Sequence, residues 1–142
     1  MGEEIYQLVY VSRVDIEGDE VAYREAIDDI LRASRENNVK VGITGALLCN
    51  RSYFAQVLEG TQEAVEDTYE RIQCDERHCN TTVLRFRSIE SRDFGSWSMG
   101  YEGHPSDALE SFDRLTQESR VKLEELDGLD LVALLQAHLR VA

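Results

Sequence analysis

Apolar and polar positions recur along this chain with periods that change from two to between three and four and back again. Residues 5–12, Ile-Tyr-Gln-Leu-Val-Tyr-Val-Ser, alternate as a strand with Tyr6, Leu8, Tyr10 and Ser12 on one face. From Tyr23 to Asn37 the apolar residues Tyr23, Ala26, Ile27, Ile30, Leu31 and Ala33 form a helical stripe. Val41–Cys49 and Tyr53–Leu58 are apolar runs on either side of Asn50-Arg51-Ser52, which predicts a hairpin. Thr61 is placed to N-cap a second helix reaching about Cys74, with Glu63 near its positive end. Thr82–Ile89 reads as a strand and Ser96–Tyr101 as a shorter one.

The order β-α-β-β-α-β-β predicts an α+β, ferredoxin-like sandwich with one added strand. In that topology the first and third strands are neighbours, so Tyr10 and Gln56 meet on the face that the two helices cover. Gln56 shares its face with Phe54 and Leu58. A buried amide left unpaired costs about 1–3 kcal/mol, so a polar partner is expected opposite it, and Tyr10 is the candidate.

The tail departs from this plan, and the expected division is 1–103 for the sandwich and 104–142 for a helical extension. Ser106, after the only proline, Pro105, is placed to cap a helix carrying Ala108, Leu109, Phe112 and Leu115. Gly128 breaks the chain before a last helix, Leu129 to Val141, that is apolar on more than one side. The second sheet face carries Val9, Val11, Ala55 and Val57, which two helices on the first face cannot reach. The tail helices are expected to cover it, within the chain or across a dimer. A homo-oligomer, at least a dimer, is therefore expected.

Composition narrows the function classes. A net charge of −13 with two lysines, Lys40 and Lys122, argues against nucleic acid or an anionic membrane as partner. No basic start with an apolar stretch marks a signal peptide, and Leu129 to Leu139 is too short to span a bilayer. Cys49, Cys74 and Cys79 form no disulfide framework and suit a cytoplasmic location. Cys74, Asp75, His78 and Cys79 crowd together without a second cluster, which is a poor zinc pattern and reads as a turn.

Several separated motifs then occur in one order. They are Leu8-Val9-Tyr10-Val11-Ser12, Ser34-Arg35-Glu36-Asn37-Asn38, Gly42-Ile43-Thr44-Gly45-Ala46-Leu47 and Phe54-Ala55-Gln56-Val57-Leu58-Glu59-Gly60. Arg71-Ile72-Gln73-Cys74-Asp75-Glu76-Arg77-His78 and Arg92-Asp93-Phe94-Gly95-Ser96-Trp97-Ser98-Met99 follow. In this set residues 5–101 resemble the BLUF domain, a flavin-binding blue-light sensor module. The tail resembles none of the cyclase or phosphodiesterase modules attached to some relatives, so a stand-alone, non-enzymatic photoreceptor is expected.

The resemblance implies a flavin between the two helices, FAD by the family name, with FMN or riboflavin as substitutes. It implies that Asn37 and Asn38 contact the flavin, with Asn38 on the ring edge, and that Ile72 packs on the ring opposite Ile30. On an ideal helix Asn38 continues the stripe of Ile30 and Ser34, whereas Asn37 is turned about 100° away. The residues alone fit a helix C-cap at Asn37-Asn38 equally well. Arg71 is implied to lie near the ribityl or phosphate arm with Asp75 nearby, although their spacing also fits an ordinary surface ion pair. His78 resembles a histidine common in the family.

The same resemblance makes Tyr10 the electron and proton donor and Gln56 the amide that rearranges. Ser12, on the Tyr10 face, is counted with Tyr10, Gln56, Trp97 and Met99 among the photoactive residues. Trp97 and Met99, on one side of the fifth strand with Tyr101, match a pair linked to output, with an unidentified downstream protein as reader. The alternatives are a light-insensitive interaction module and a small acylphosphatase-like hydrolase. No phosphate-cradling loop beside an arginine supports the latter.

Overall fold

The first helix is set by its two ends. In the computed structural model, which describes residues 4–50, 52–95, 97–102 and 127–139, α1 spans Glu20–Val41. Asp19 caps it by accepting from the Ala22 N–H at 3.0 Å. Gly42 ends it at φ 71°, returning its N–H to the Asn38 carbonyl. Asn37 and Asn38 therefore lie inside the helix, and the C-cap belongs to the residue that lacks a Cβ. Val41, which opens the apolar run read as the second strand, is instead exposed on the last turn of α1, as is Val39.

The strands follow the alternation. β1 is Ile5–Val14, β2 Thr44–Cys49, β3 Tyr53–Gly60, β4 His78–Ile89 and β5 Gly100–Glu102. They form one sheet in the order β4-β1-β3-β2-β5, and α2 spans Gln62–Gln73 between β3 and β4. β1 runs antiparallel to β3 with Tyr10 opposite Gln56, and β5 runs parallel to β2. This is the ferredoxin-like arrangement with an added edge strand. Asn50 shapes the β2–β3 hairpin by accepting from the N–H groups of Ser52 (3.0 Å) and Tyr53 (2.8 Å). Thr61 caps α2 through the Ala64 N–H.

The starts of β4 and β5 differ from the sequence reading in ways that bear on the site. β4 begins at His78 rather than Thr82, because β1 pairs with it as far as Val14–His78 across two register shifts. His78 and Cys79 thus belong to a strand and not to a turn. β5 begins only at Gly100, so Trp97 and Met99 precede it.

Each face of the sheet has its own core. Leu8, Tyr10, Leu47, Phe54 and Leu58 pack under α1 and α2 with Ile27, Leu31 and Val65. Val9, Val11, Ala55 and Val57 pack on the far face against Leu131, Val132 and Leu135 of α3, Gly128–Leu139. This chain's own last helix covers that face, so the bare surface that motivated a dimer there does not exist. Gly128 is the first residue of α3 and not a break before it. A Cβ at Gly128 would lie 2.8 Å from the Arg85 Cβ and 3.5 Å from that of Val9, so its absence lets the helix reach the sheet. Asp127 caps α3 through the Leu129 N–H at 2.9 Å. The expected helix from Ser106 and the boundary at 103/104 lie outside the described residues. Among the described residues no helix is long and apolar enough to cross a membrane.

Candidate functional site

The floor of the site is the β1–β3 pair. Tyr10 and Gln56 are cross-strand partners, and both side chains point beneath the helices. The Tyr10 hydroxyl donates to Gln56 Oε1. The amide NH2 of Gln56 donates to Met99, with Nε2 3.5 Å from Sδ. Burial raises the Tyr10 pKa well above the ordinary phenol value, and the fields of Tyr69 and Asp75 push in the same direction. Tyr10 therefore remains a proton donor to Gln56 throughout the neutral range.

The walls are the two helices. Ile30, Ala33, Ser34, Asn37 and Asn38 of α1 face Thr68, Arg71 and Ile72 of α2 across a cavity of about 810 Å3, counting its open mouth. Leu47, Phe54 and Leu58 continue the apolar floor, and Asp75, Arg77 and His78 stand at one side. Asn38 is buried, and its Nδ2 donates to the Ser98 carbonyl at 2.7 Å; Asn37 is half-buried.

His78 holds α2 to β1. Its Nε2 lies 2.6 Å from the Ile72 carbonyl, which can only accept, so Nε2 carries the proton. Nδ1 then accepts from the Ser12 hydroxyl at 2.8 Å. Both ring nitrogens are engaged, which leaves the ring itself to line the cavity. Ser12 does not line it and reaches the site only through His78.

The spacing of Arg71 and Asp75 misleads. α2 ends at Gln73, so the two residues do not share a helix face. Asp75 instead pairs with Arg77, at 2.9 Å from Nε and 2.6 Å from Nη2. The hydrogen-bonded Arg77 guanidinium holds the Asp75 carboxyl below the usual carboxylate range. Arg71 lines the cavity, is exposed and makes no ion pair among the described residues.

Trp97 and Met99 part company. Met99 packs with the pocket-side core against Gln56, whereas Trp97 packs with Phe94 in the far-face core beside α3. Because β5 starts after both, strand alternation does not place them on one side.

Nine residues named from the sequence (Tyr10, Ile30, Asn37, Asn38, Gln56, Arg71, Ile72, Asp75 and His78) line this one cavity. Thr68 and Arg77 line it too and carried no signal in the sequence beyond their positions in α2 and after it. The Thr68 hydroxyl is buried without a hydrogen-bond partner among the described residues. An apolar slot with amides at its floor and rim and one orphaned hydroxyl fits a flat heteroaromatic ring with alternating donors and acceptors. A flavin is such a ring.

The fold and the slot together define a flavin-sensor module carried on a ferredoxin-like sheet. Comparison with known proteins assigns it: residues 5–100 match the family model for BLUF, described as sensors of blue-light using FAD, and the chain belongs to that family. It is 34% identical to the dark-state structure of BlrB, a BLUF protein, with a TM-score of 0.71 over 95% of this chain and 94% of that one. It is 33% identical to the photo-activated state of BlsA, with a TM-score of 0.78 over 97% and 96% of the two chains.

Among curated proteins it is 36% identical to the blue light- and temperature-regulated antirepressor BluF of Escherichia coli (strain K12), over 51% of this chain and 18% of that protein. It is 31% identical to the photoactivated adenylate cyclase subunit alpha-like protein FB of Euglena gracilis, over 56% of this chain and 8% of that one. The chain thus spans less than a fifth of the length of these curated relatives. The family's cofactor is FAD, and its function is blue-light sensing.

Proposed function

We propose that this chain is a blue-light receptor in which Tyr10 gives up an electron and a proton and Gln56 is the responding amide. The observation that carries this reading is the continuous path from the Tyr10 hydroxyl, on the cavity floor, through the Gln56 amide to Met99. When bound, FAD supplies an excited state that is a strong one-electron oxidant. Tyr10 holds its Oη proton on Gln56 Oε1, so oxidation of the phenol lets that proton move along a bond already made. Gln56 then presents a changed donor and acceptor pattern, by rotation or tautomerism, and Nε2 leaves Met99 Sδ. Return of the electron and proton restores Tyr10 and leaves Gln56 rearranged.

Ile30 and Ile72 offer apolar surfaces to the two faces of the ring. Asn37, Asn38 and Thr68 offer polar contacts, and Arg71 at the mouth offers its charge to the phosphate arm. FMN or riboflavin would meet the same ring contacts. His78, held by Ser12, fixes the C-terminal end of α2. The cycle turns over no substrate, and we read the chain as non-enzymatic and cytoplasmic. It signals through a protein partner, with Trp97 and Met99 in the route out, and the homo-oligomer forms through a surface other than the sheet face that α3 covers. The antirepressor relative supports a protein as the reader.

The test is absorbance under blue light. The flavin-loaded chain should show a reversible red shift. Tyr10→Phe and Gln56→Leu should each retain flavin and fold yet lose the shift. A normal reversible shift in either variant would show that residue's role to be misassigned.

A further inference from the structure

The far face of the sheet holds a buried polar cluster that the photoreaction does not use. Gln7 and Glu59 oppose one another across β1 and β3, and both are fully buried. Gln7 donates to Glu59 Oε2 at 2.9 Å and to Asp93 Oδ2 at 2.8 Å, while its carbonyl accepts from Arg85 at 3.1 Å. Glu59 also accepts from the backbone N–H groups of Asp93 at 2.9 Å and Phe94 at 2.8 Å, and from the Thr44 hydroxyl at 3.3 Å. Arg92 clamps the same place, donating to the Thr44 hydroxyl at 2.9 Å and the Glu59 carbonyl at 3.0 Å. A buried carboxylate persists only when its lone pairs are used, and here two of its partners are main-chain groups of a segment that is neither helix nor strand.

The described residues of that segment, 92–95 and 97–99, touch both faces of the sheet. Near its end Trp97 O accepts from the Gly45 N–H at 3.1 Å and Ser98 O accepts from Asn38. Arg35 donates to Met99 O at 3.1 Å, and Met99 Sδ receives Gln56. In its middle, Phe94 and Trp97 pack in the core formed with Leu131 and Leu135 of α3. Asp93 Oδ1 lies 3.4 Å from Gln136 Nε2 of the same helix.

The geometry points to Glu59 as a positioning residue of the light response: from the side of the sheet away from the cavity, it fixes segment 92–99 so that Met99 meets Gln56 and a shift of Met99 is passed to α3 through Phe94 and Trp97. This rests on the reading of Tyr10 and Gln56 above. A carboxylate is required because every partner of its oxygens is a donor. Glutamine has the same shape but turns an NH2 toward one set of donors, which frees part of the segment.

The experiment uses full-length, flavin-loaded protein as wild type, Glu59→Gln and Arg92→Ala. Arg92 is half-exposed, so its variant loosens the same anchor without touching the core. Flavin content, dark recovery after illumination and hydrogen exchange in the dark are measured. Flavin content should stay within about twofold of wild type. Dark recovery should change by about fivefold, the rate equivalent of removing one hydrogen bond. Exchange should rise together in residues 97–101 and 129–137 and stay unchanged around Tyr10.

Unchanged recovery in both variants, or a rise in exchange confined to 93–95, would overturn the assignment. Should wild type give no reversible shift, the photoreaction reading fails by itself. Dark exchange then still decides: a joint rise at 97–101 and 129–137 upholds the link, and a local rise at 93–95 refutes it. Should Glu59→Gln not fold, Arg92→Ala separates the same two outcomes.

Discussion

Replacing Asn38 by alanine should weaken flavin retention more than the same change at Asn37, and the difference can be sized. Both residues sit in the interior of α1, so both variants gain the same helix propensity, and subtraction removes it. Asn38 is buried and loses its bond from Nδ2 to Ser98 O; Asn37 is half-buried and has no side-chain hydrogen bond among the described residues. A neutral hydrogen bond contributes about 0.5–1.5 kcal/mol net. Removing one such bond to the cofactor corresponds to about 2- to 13-fold in Kd. Breaking the bond to Ser98 costs the fold about 1 kcal/mol more and frees the segment carrying Met99. Asn37→Ala should change stability by less than about 0.5 kcal/mol. Fluorescence titration of flavin into the stripped proteins, with urea unfolding of the same samples, gives both quantities. Equal affinity and equal stability in the two variants would refute the placement of Asn38 as the buried contact.

Three further outcomes are expected. Thr68→Val removes a hydroxyl that has no partner among the described residues, so it should stabilise the flavin-free chain by about 1 kcal/mol and weaken flavin binding by about 2- to 10-fold, read by the same titration. Arg77→Gln should lower the thermal midpoint near neutrality and match wild type in strong acid. The Asp75 carboxyl is held low in the folded state, so its contribution is present above the ordinary carboxylate pKa of about 3.9 and is lost as pH falls through the depressed value; parallel pH profiles would contradict this. Deleting the chain from Ser106 onward removes α3 and bares Val9, Val11, Ala55 and Val57, which should raise self-association in sedimentation, and an unchanged profile would contradict the packing described.

The centre of the fold was legible because strands of alternating pattern leave little choice of register. A one-residue slip would turn Tyr10 or Gln56 outward, and the ferredoxin-like strand order makes β1 and β3 neighbours, so their contact followed from alternation and topology together. The ends were not legible. Val41 opens an apolar run that looks like a strand, but the backbone passes through a left-handed turn that only Gly42 takes readily, and helix continues up to it. Arg71 and Asp75 have helical spacing, but the helix stops between them, and a guanidinium two residues on takes the carboxylate. Gln7 and Glu59 did leave a trace: each is a polar residue in phase with an apolar face, Gln7 with Val9 and Val11, Glu59 with Ala55 and Val57. Opposed in-phase polar residues on paired strands predict a buried polar contact as firmly as Tyr10 and Gln56 do.

That symmetry bears on how a change confined to one amide could be felt on the other side of a sheet. The body of the sheet is a poor conductor for it, since Val9, Val11, Ala55 and Val57 are close-packed and have no second arrangement to adopt. A segment outside the sheet is different. Between Phe94 and Met99 the chain crosses from the α3 core to the pocket core, and its contacts at both ends are hydrogen bonds and single side chains rather than a ladder. Methionine can fill more than one arrangement at small cost, and Gln56 contacts it through a weak sulfur acceptor. The element most easily moved by Gln56 is therefore also the one that leads to α3, and Glu59 decides how much of that movement stays local.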